Sequence, residues 1–170
     1  MTQEHYIRKV QTSVTVFLRH GDEYLFLHRL PTKKVDANKL NGIGGRLEHG
    51  EDHLTAAVRE TEEETGYVVA PEDFTLRTIF RIQEGYPEDW IGCFFVADVP
   101  SKEVPIGHET PDGKLIWIHK DKVLDSGHEL VDDLNYIWKD IISTNDLLFF
   151  SAIVGDNEKI KNINISRLAK

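Results

Sequence analysis

The sequence predicts an α+β fold, a mixed sheet with helices packed on it. Segments of alternating apolar residues outnumber segments of helical period. Most of them are joined by hairpins and short loops, while two stretches carry apolar residues at helical spacing.

The elements follow in order. Val14, Val16 and Leu18 alternate, His20-Gly21-Asp22 turns the chain, and Tyr24-Leu25-Phe26-Leu27 resumes: a strand, a tight turn and a strand. Residues 30–40 form a polar loop holding Pro31, Thr32, Lys33, Lys34, Asp36 and Asn38. Asn41-Gly42-Ile43-Gly44-Gly45 is a glycine-dense turn that leads into Arg46-Leu47. Residues 52–65 have helical period, with Leu54, Ala57, Val58, Thr61 and Thr65 forming a narrow buried stripe. Gly66 stops that helix in a left-handed conformation. Strands are expected at 76–82, 91–97 and 114–118, a second helix near 129–142, and a closing hairpin at 147–154 and 160–165. No repeat or Ser/Gly/Pro-rich linker divides the chain, so residues 1–170 read as one domain.

Composition narrows the function. Lys plus Arg number 20 against 29 Asp plus Glu, a net charge of −9, which argues against an electrostatic grip on nucleic acid. A compact anionic substrate is still admitted if metal cations bridge it to the protein. The single cysteine, Cys93, excludes an intrachain disulfide and a Cys-based zinc cluster. Flanked by Ile91, Phe94 and Phe95, it reads as a core thiol rather than a nucleophile. No apolar run approaches the roughly 20 residues of a membrane span. Residues 1–11 carry Glu4, His5, Arg8 and Lys9 without a leader's apolar stretch, so a cytoplasmic location with no membrane partner is expected. His49 and His53 are separated by Gly50 and the helix start, which disfavours a zinc site there.

The chemistry concentrates on the first helix. At about 100° per residue, Glu60, Glu63 and Glu64 share one sector while Glu62 projects elsewhere. Like charges at this spacing cost an exposed helix roughly 0.2–0.5 kcal/mol per pair, and the dipole disfavours them in the last turns. A hard divalent cation such as Mg²⁺ removes that repulsion, taking oxygen ligands and keeping positions for water and phosphate. Gly44 and Gly45 lack a Cβ and let the backbone approach a metal or a phosphate. Arg59, eight residues after Glu51, can bind it bidentately and tie loop to helix. A run such as Glu62-Glu63-Glu64 is ordinarily a solvated face. Here the glycines, Glu51, Arg59 and Gly66 also hold fixed spacings to it.

Gly45, five residues, Glu51, seven residues, then Arg59-Glu60-Thr61-Glu62-Glu63-Glu64-Thr65-Gly66-Tyr67 resembles the Nudix box, G-x5-E-x7-R-E-U-x-E-E-x-G-U. Thr61 and Tyr67 depart from the two bulky aliphatic positions; every other fixed position agrees. The resemblance implies an α/β/α sandwich with a loop–helix catalytic motif. It also implies hydrolysis of a diphosphate linked to another moiety, dependent on Mg²⁺ with Mn²⁺ as a possible substitute. By the same resemblance Glu60, Glu63 and Glu64 bind metal with the Gly45 carbonyl, a carboxylate takes the proton of the attacking water, and Arg59 and Glu51 orient them. Asp112, preferred over Glu109, is the candidate for an additional metal-binding acid from a facing loop, with simple turn chemistry as the alternative.

The stretch Leu27-His28-Arg29 … Asn41-Gly42-Ile43-Gly44-Gly45-Arg46-Leu47 resembles the subgroup that clears oxidised purine nucleoside triphosphates. That similarity makes Asn41 a purine-binding residue, places Arg29 near phosphate and Gly44 beside the substrate, and offers Asp132 and Asp133 as the acidic pair that reads the base. Leu130 stands where the subgroup can carry an aromatic residue. Asn41 shaping the turn, and Asp132 and Asp133 opening a helix, are the plainer alternatives. The implied reaction is conversion of 8-oxo-dGTP or a related modified (d)NTP to the monophosphate plus pyrophosphate. ADP-ribose or nucleotide-sugar hydrolysis, or a non-catalytic nucleotide sensor, are the other readings. The implied partner is a small nucleotide, bound by a monomer or homodimer.

Overall fold

Along β1 (Val10–His20), Val14, Val16 and Leu18 point one way and Thr15 and Phe17 the other, and all five are buried. A strand covered on both faces belongs in the middle of a sheet. That is its place in the computed structural model, which describes residues 7–169; most of the N-terminal segment read above for a leader lies outside them. β1 runs parallel to β5 (Asp89–Asp98) and antiparallel to β2 (Glu23–Arg29), the latter through a turn at Gly21, φ +60°. The sheet continues from β5 to β4 (Phe74–Gln83), β9 (Leu147–Val154) and β10 (Ile160–Leu168). On the other side of β1 come β2, β3 (Lys39–Asn41) and β8 (Glu129–Leu130). β7 (Gly113–His119) also pairs with β2, and β6 (Glu109–Thr110) with β7. Parallel pairs (β1–β5, β4–β9, β3–β8) stand among antiparallel ones, so the sheet is mixed as expected.

Each face buries its own core. Helix α1 (His53–Thr65) sets Ala56 and Ala57 against Val14, Val16, Leu25 and Phe95. Helix α2 (Leu134–Ser143) covers the opposite face, where the rings of Tyr24, Phe26 and Phe17 lie 5.0, 5.3 and 5.5 Å from that of Trp138. The Trp138 indole N–H, buried with its ring, donates to the Lys120 carbonyl at 2.9 Å, as a buried polar tip requires. Helix, sheet and helix therefore form three layers.

Both ends of α1 are made by local chemistry. The Asp52 carboxylate accepts from Thr55 N–H at 2.8 Å, and Gly66, at φ +75°, donates its N–H to the Glu62 carbonyl at 2.8 Å. The buried stripe differs from the expected one. Ala56, Ala57, Thr61 and Thr65 are buried, whereas Leu54 is exposed and Val58 half-buried beside Pro71. All four buried residues are small, so the helix lies close on the sheet and larger side chains are turned to its flank.

The second helix starts later than residue 129. Glu129–Leu130 is a strand parallel to β3, and Val131 N–H donates to the Leu40 carbonyl at 3.0 Å, so this backbone is committed to the sheet through Val131 and a turn follows before Leu134. The same pairing makes a strand of residues 39–41, the first two of which belong to the expected 30–40 loop. Among the described residues no helix is long and apolar enough to cross a membrane.

Candidate active site

The glycine turn is fastened to β1. Val16 N–H donates to the Ile43 carbonyl at 2.7 Å, Ile43 N–H returns the bond at 3.0 Å, and Val14 N–H donates to the Gly45 carbonyl at 2.9 Å. Gly44, at φ +142°, passes so close that a Cβ would collide with the Val14 carbonyl oxygen. A Cβ on Gly45 would lie 2.5 Å from Glu60 Oε1. One glycine is required by the strand beneath and the other by the helix carboxylate beside it.

Glu64 Oε2 accepts the Gly44 N–H at 3.0 Å. Burial pushes the Glu64 carboxyl up to about 7, the charges of Glu60 and Asp112 add to the rise, and the Gly44 bond opposes it. Burial also raises Glu60, against the pull of Arg59. Arg59 is the hub. Its Nε and Nη2 grip Glu51 Oε1 and Oε2 at 2.7 and 2.9 Å, the bidentate pairing its spacing suggested. Nη1 reaches Glu60 Oε1 at 2.9 Å and Glu63 Oε2 at 3.0 Å, and Nη2 also donates to the Arg46 carbonyl at 3.2 Å. The guanidinium holds the Glu51 carboxyl down at about 2. Glu63 is more than half exposed, and Glu62 is exposed with no ion pair to Arg59.

Among the described residues no three His, Cys, Asp or Glu side chains converge as a ready-made metal cage. The donor set nonetheless fits a hard cation: Glu60 and Glu64 carboxylates beside the Gly45 carbonyl, which keeps a lone pair after accepting from Val14. The space that a Gly45 Cβ would fill lies against the Glu60 carboxylate. Asp112 is near enough to raise Glu64 by its charge, is ion-paired with Lys33, and sits in a turn where Thr110 Oγ1 accepts its N–H at 3.2 Å. Glu109 is exposed and 3.5 Å from Lys114.

Gly44 and Gly45 also line a cavity of about 380 Å³, together with Arg29, Asn41, Asp132 and Asp133. The turn and the residues expected to hold substrate thus meet in one space. Asn41 Oδ1 accepts from Gly42 N–H at 2.8 Å, and Arg29 Nε donates to the Val35 carbonyl at 3.3 Å. Asp132 is tied to β10: its Oδ2 accepts Ile160 N–H at 2.7 Å and its Oδ1 accepts the Asn135 amide at 3.2 Å. Asp133 is buried, and its Oδ1 lines up with no donor among the described residues. Burial, reinforced by the Asp36 charge, pushes its carboxyl up to about 7.

Sequence reasoning missed the aromatic lining. Phe80, Tyr86, Trp90 and Phe94 come from β4, β5 and the turn between them. The period-two spacing of Trp90, Gly92 and Phe94 was the available signal; Gly92 leaves room for the Phe80 ring, which a Cβ would meet at 2.5 Å. Leu130 is buried in the α2-side core. Cys93 is a buried thiol pushed up to about 11 by burial, as its neighbours suggested.

Residues 9–135, well over half of the chain, match the family model described as NUDIX domain. The chain belongs to the Nudix family. This Nudix protein is 32% identical over 89 residues to the 8-oxo-dGTP diphosphatase of Escherichia coli (strain K12), an alignment covering 52% of this chain and 65% of that enzyme. The MutT protein from Bacillus halodurans superposes with a TM-score of 0.77 at 24% identity, over 92% of this chain and 97% of that one. A NUDIX hydrolase from Nitrosomonas europaea does so at 0.56 and 25% identity, over 69% and 77%.

Proposed function

We propose that this Nudix protein hydrolyses the diphosphate linkage of a nucleoside triphosphate to the monophosphate and pyrophosphate, with 8-oxo-dGTP or a related modified purine nucleotide as substrate and Mg²⁺ or Mn²⁺ as cofactor. The observation that carries the reading is one cavity lined by Gly44, Gly45, Asn41 and Asp133, whose glycine turn is bonded through the Gly44 N–H to the helix carboxylate of Glu64. Glu60, Glu64 and the Gly45 carbonyl would hold the cation, with Glu63 joining once it leaves Arg59. When bound, the cation neutralises the diphosphate and lowers the pKa of water. Glu64, positioned by the Gly44 N–H, accepts the proton of the attacking water, as a fixed carboxylate base can. The water oxygen forms a bond to one phosphorus as the bridging oxygen departs with the other phosphate. Arg59 and Glu51 hold the helix against the loop while charge develops. Asn41, its oxygen engaged by Gly42, presents its amide N–H groups to an acceptor on the base, and Asp133 can donate or accept according to its protonation. The similarity to the E. coli enzyme supports the choice of an oxidised purine.

The test is a turnover screen over (d)NTPs, 8-oxo-dGTP, ADP-ribose and nucleotide sugars with Mg²⁺, Mn²⁺ or EDTA. We expect pyrophosphate plus a nucleoside monophosphate, and no turnover in EDTA. Preferential release of two monophosphates from a nucleotide sugar would replace the triphosphate reading, and full activity in excess chelator would remove the metal.

A further inference from the structure

One wall of the cavity comes from beyond the residues shared with the family model. Val154, Glu158 and Ile160, around the turn between β9 and β10, line it. In that turn Glu158 adopts φ +59°, a left-handed conformation that side chains disfavour, although Gly155 and Asn157 stand beside it. Contacts far along the chain hold it there. Glu158 Oε2 lies 2.6 Å from Lys39 Nζ, and Oε1 accepts the Asp36 N–H at 3.2 Å. Lys39 is only 5% exposed, so a lost partner would leave its charge buried. Asp36 is left-handed too, at φ +51°, and its carboxylate accepts from the Tyr86 hydroxyl at 3.3 Å and Lys39 at 3.4 Å. Glu84, at φ +60°, opens the turn that carries Tyr86. The left-handed non-glycine residues of the described chain are Asp36, Asn38, Glu84 and Glu158. All four thus belong to the segments that meet at this network, Asn38 lying between Asp36 and Lys39. Strain gathered in one place persists where the surroundings over-determine it, which points to a function. A turn needed only to reverse the chain would have used its glycine.

We propose that the β9–β10 turn is a specificity element: the Lys39–Glu158 ion pair latches it against the 30–38 loop, so that Val154 and Ile160 form a fixed apolar wall that selects the heterocyclic base by size. Glu158 is a positioning residue, acting through the turn. The inference rests on the nucleotide reading above and deepens it. The wall is built by β9, β10 and the turn between them, whereas the Gly44–Gly45 turn is fastened separately to β1, so releasing the wall alters binding of the base and leaves the reacting phosphates in place.

The experiment compares full-length wild type with Glu158→Ala, Lys39→Met, the double variant, Glu158→Gln and Ile160→Ala. Each is assayed with Mg²⁺ on dGTP, 8-oxo-dGTP, dCTP, dTTP, ADP-ribose and UDP-glucose, recording kcat and KM separately. For Glu158→Ala we expect KM for the purine triphosphates to rise about tenfold, kcat to stay within about threefold, and the purine-to-pyrimidine ratio of kcat/KM to fall toward one. Glu158→Gln keeps the reach and one of the two acceptor oxygens and should recover part of the ratio. The double variant should be no worse than the poorer single one, because the two residues act as a pair. Ile160→Ala alters the wall without touching the latch and should move the same ratio, which covers the case in which the latch variants do not fold. A merely structural role would lower kcat and thermal stability and move all substrates together. Wild-type base ratios in folded variants overturn the latch and leave the function standing. A wild type active only on the diphosphate-linked nucleosides overturns the triphosphate reading, and the latch is then judged by the ADP-ribose to UDP-glucose ratio. A wild type inactive on every substrate overturns both.

Discussion

Arg59 binds Glu51, Glu60 and Glu63, yet the carboxylate proposed to take the water's proton is one it does not hold. Glu51 takes two of its N–H groups and stays ionised, whereas Glu64 receives none and sits near neutrality through burial. Glu60→Gln and Glu64→Gln should therefore each lower kcat by about 10²-fold or more with the fold intact, as expected for loss of a ligand or positioned base. Glu62→Gln, on the exposed flank, should stay within about twofold of wild type, and equal losses at all three would refute the orientation of the helix. Asn41 belongs to the same scale. Because its oxygen already accepts from Gly42, its amide N–H groups are the part offered first to the base. Asn41→Ala should lower the ratio of kcat/KM for 8-oxo-dGTP over dGTP, by as much as one hydrogen bond supplies, roughly 1–3 kcal/mol or about 5- to 150-fold. Equal loss on both nucleotides, with lower thermal stability, would show that Asn41 only shapes the turn.

Among the elements, the glycine turn separates stability from activity. A methyl at Gly44 meets backbone that cannot move and demands φ +142° of a chiral residue, so Gly44→Ala should lose more than about 1 kcal/mol in denaturant unfolding. A methyl at Gly45 meets the movable end of Glu60, so Gly45→Ala should unfold near the wild-type midpoint while its kcat falls. The reverse pattern would mean that the turn is held from the helix side. What could be read from the sequence follows the reach of the interactions. Asp52 and Gly66 mark the ends of α1 because capping lies within a few residues, and the hairpin at 147–154 and 160–165 shows by alternation. The Glu51–Arg59 pair is legible because its spacing spans one helix. By contrast β3 and β8 are too short to carry a period, and their register is set by a bond from Val131 to Leu40. Lys39 and Glu158 lie 119 residues apart, with nothing local in either neighbourhood to announce the other.

Across the whole molecule, a net charge of −9 is compatible with an anionic substrate because basic groups such as Arg29, Lys34 and Arg46 line the cavity alongside its acids. The most deeply placed of those acids gives the protein a pH dependence. Asp133 has an ordinary value of 3.8 and is raised to about 7 by burial and the charge of Asp36, so between these values the folded chain holds a proton that the unfolded chain has lost. Its contribution to stability is fully present below about 3.8 and disappears as pH rises through about 7, because stability falls with pH wherever the folded state binds more protons. Asn at this position cannot ionise and should remove that slope. Thermal unfolding of the metal-free protein from pH 4 to pH 8 should therefore show wild type losing stability relative to Asp133→Asn, with most of the change below pH 7. Ionisable groups that do not feel the Asp133 charge are common to both proteins and cancel in the difference. A constant difference across that range would mean that Asp133 is already ionised in the fold at pH 4, and would leave the cavity with a fixed acceptor in place of a group able to donate.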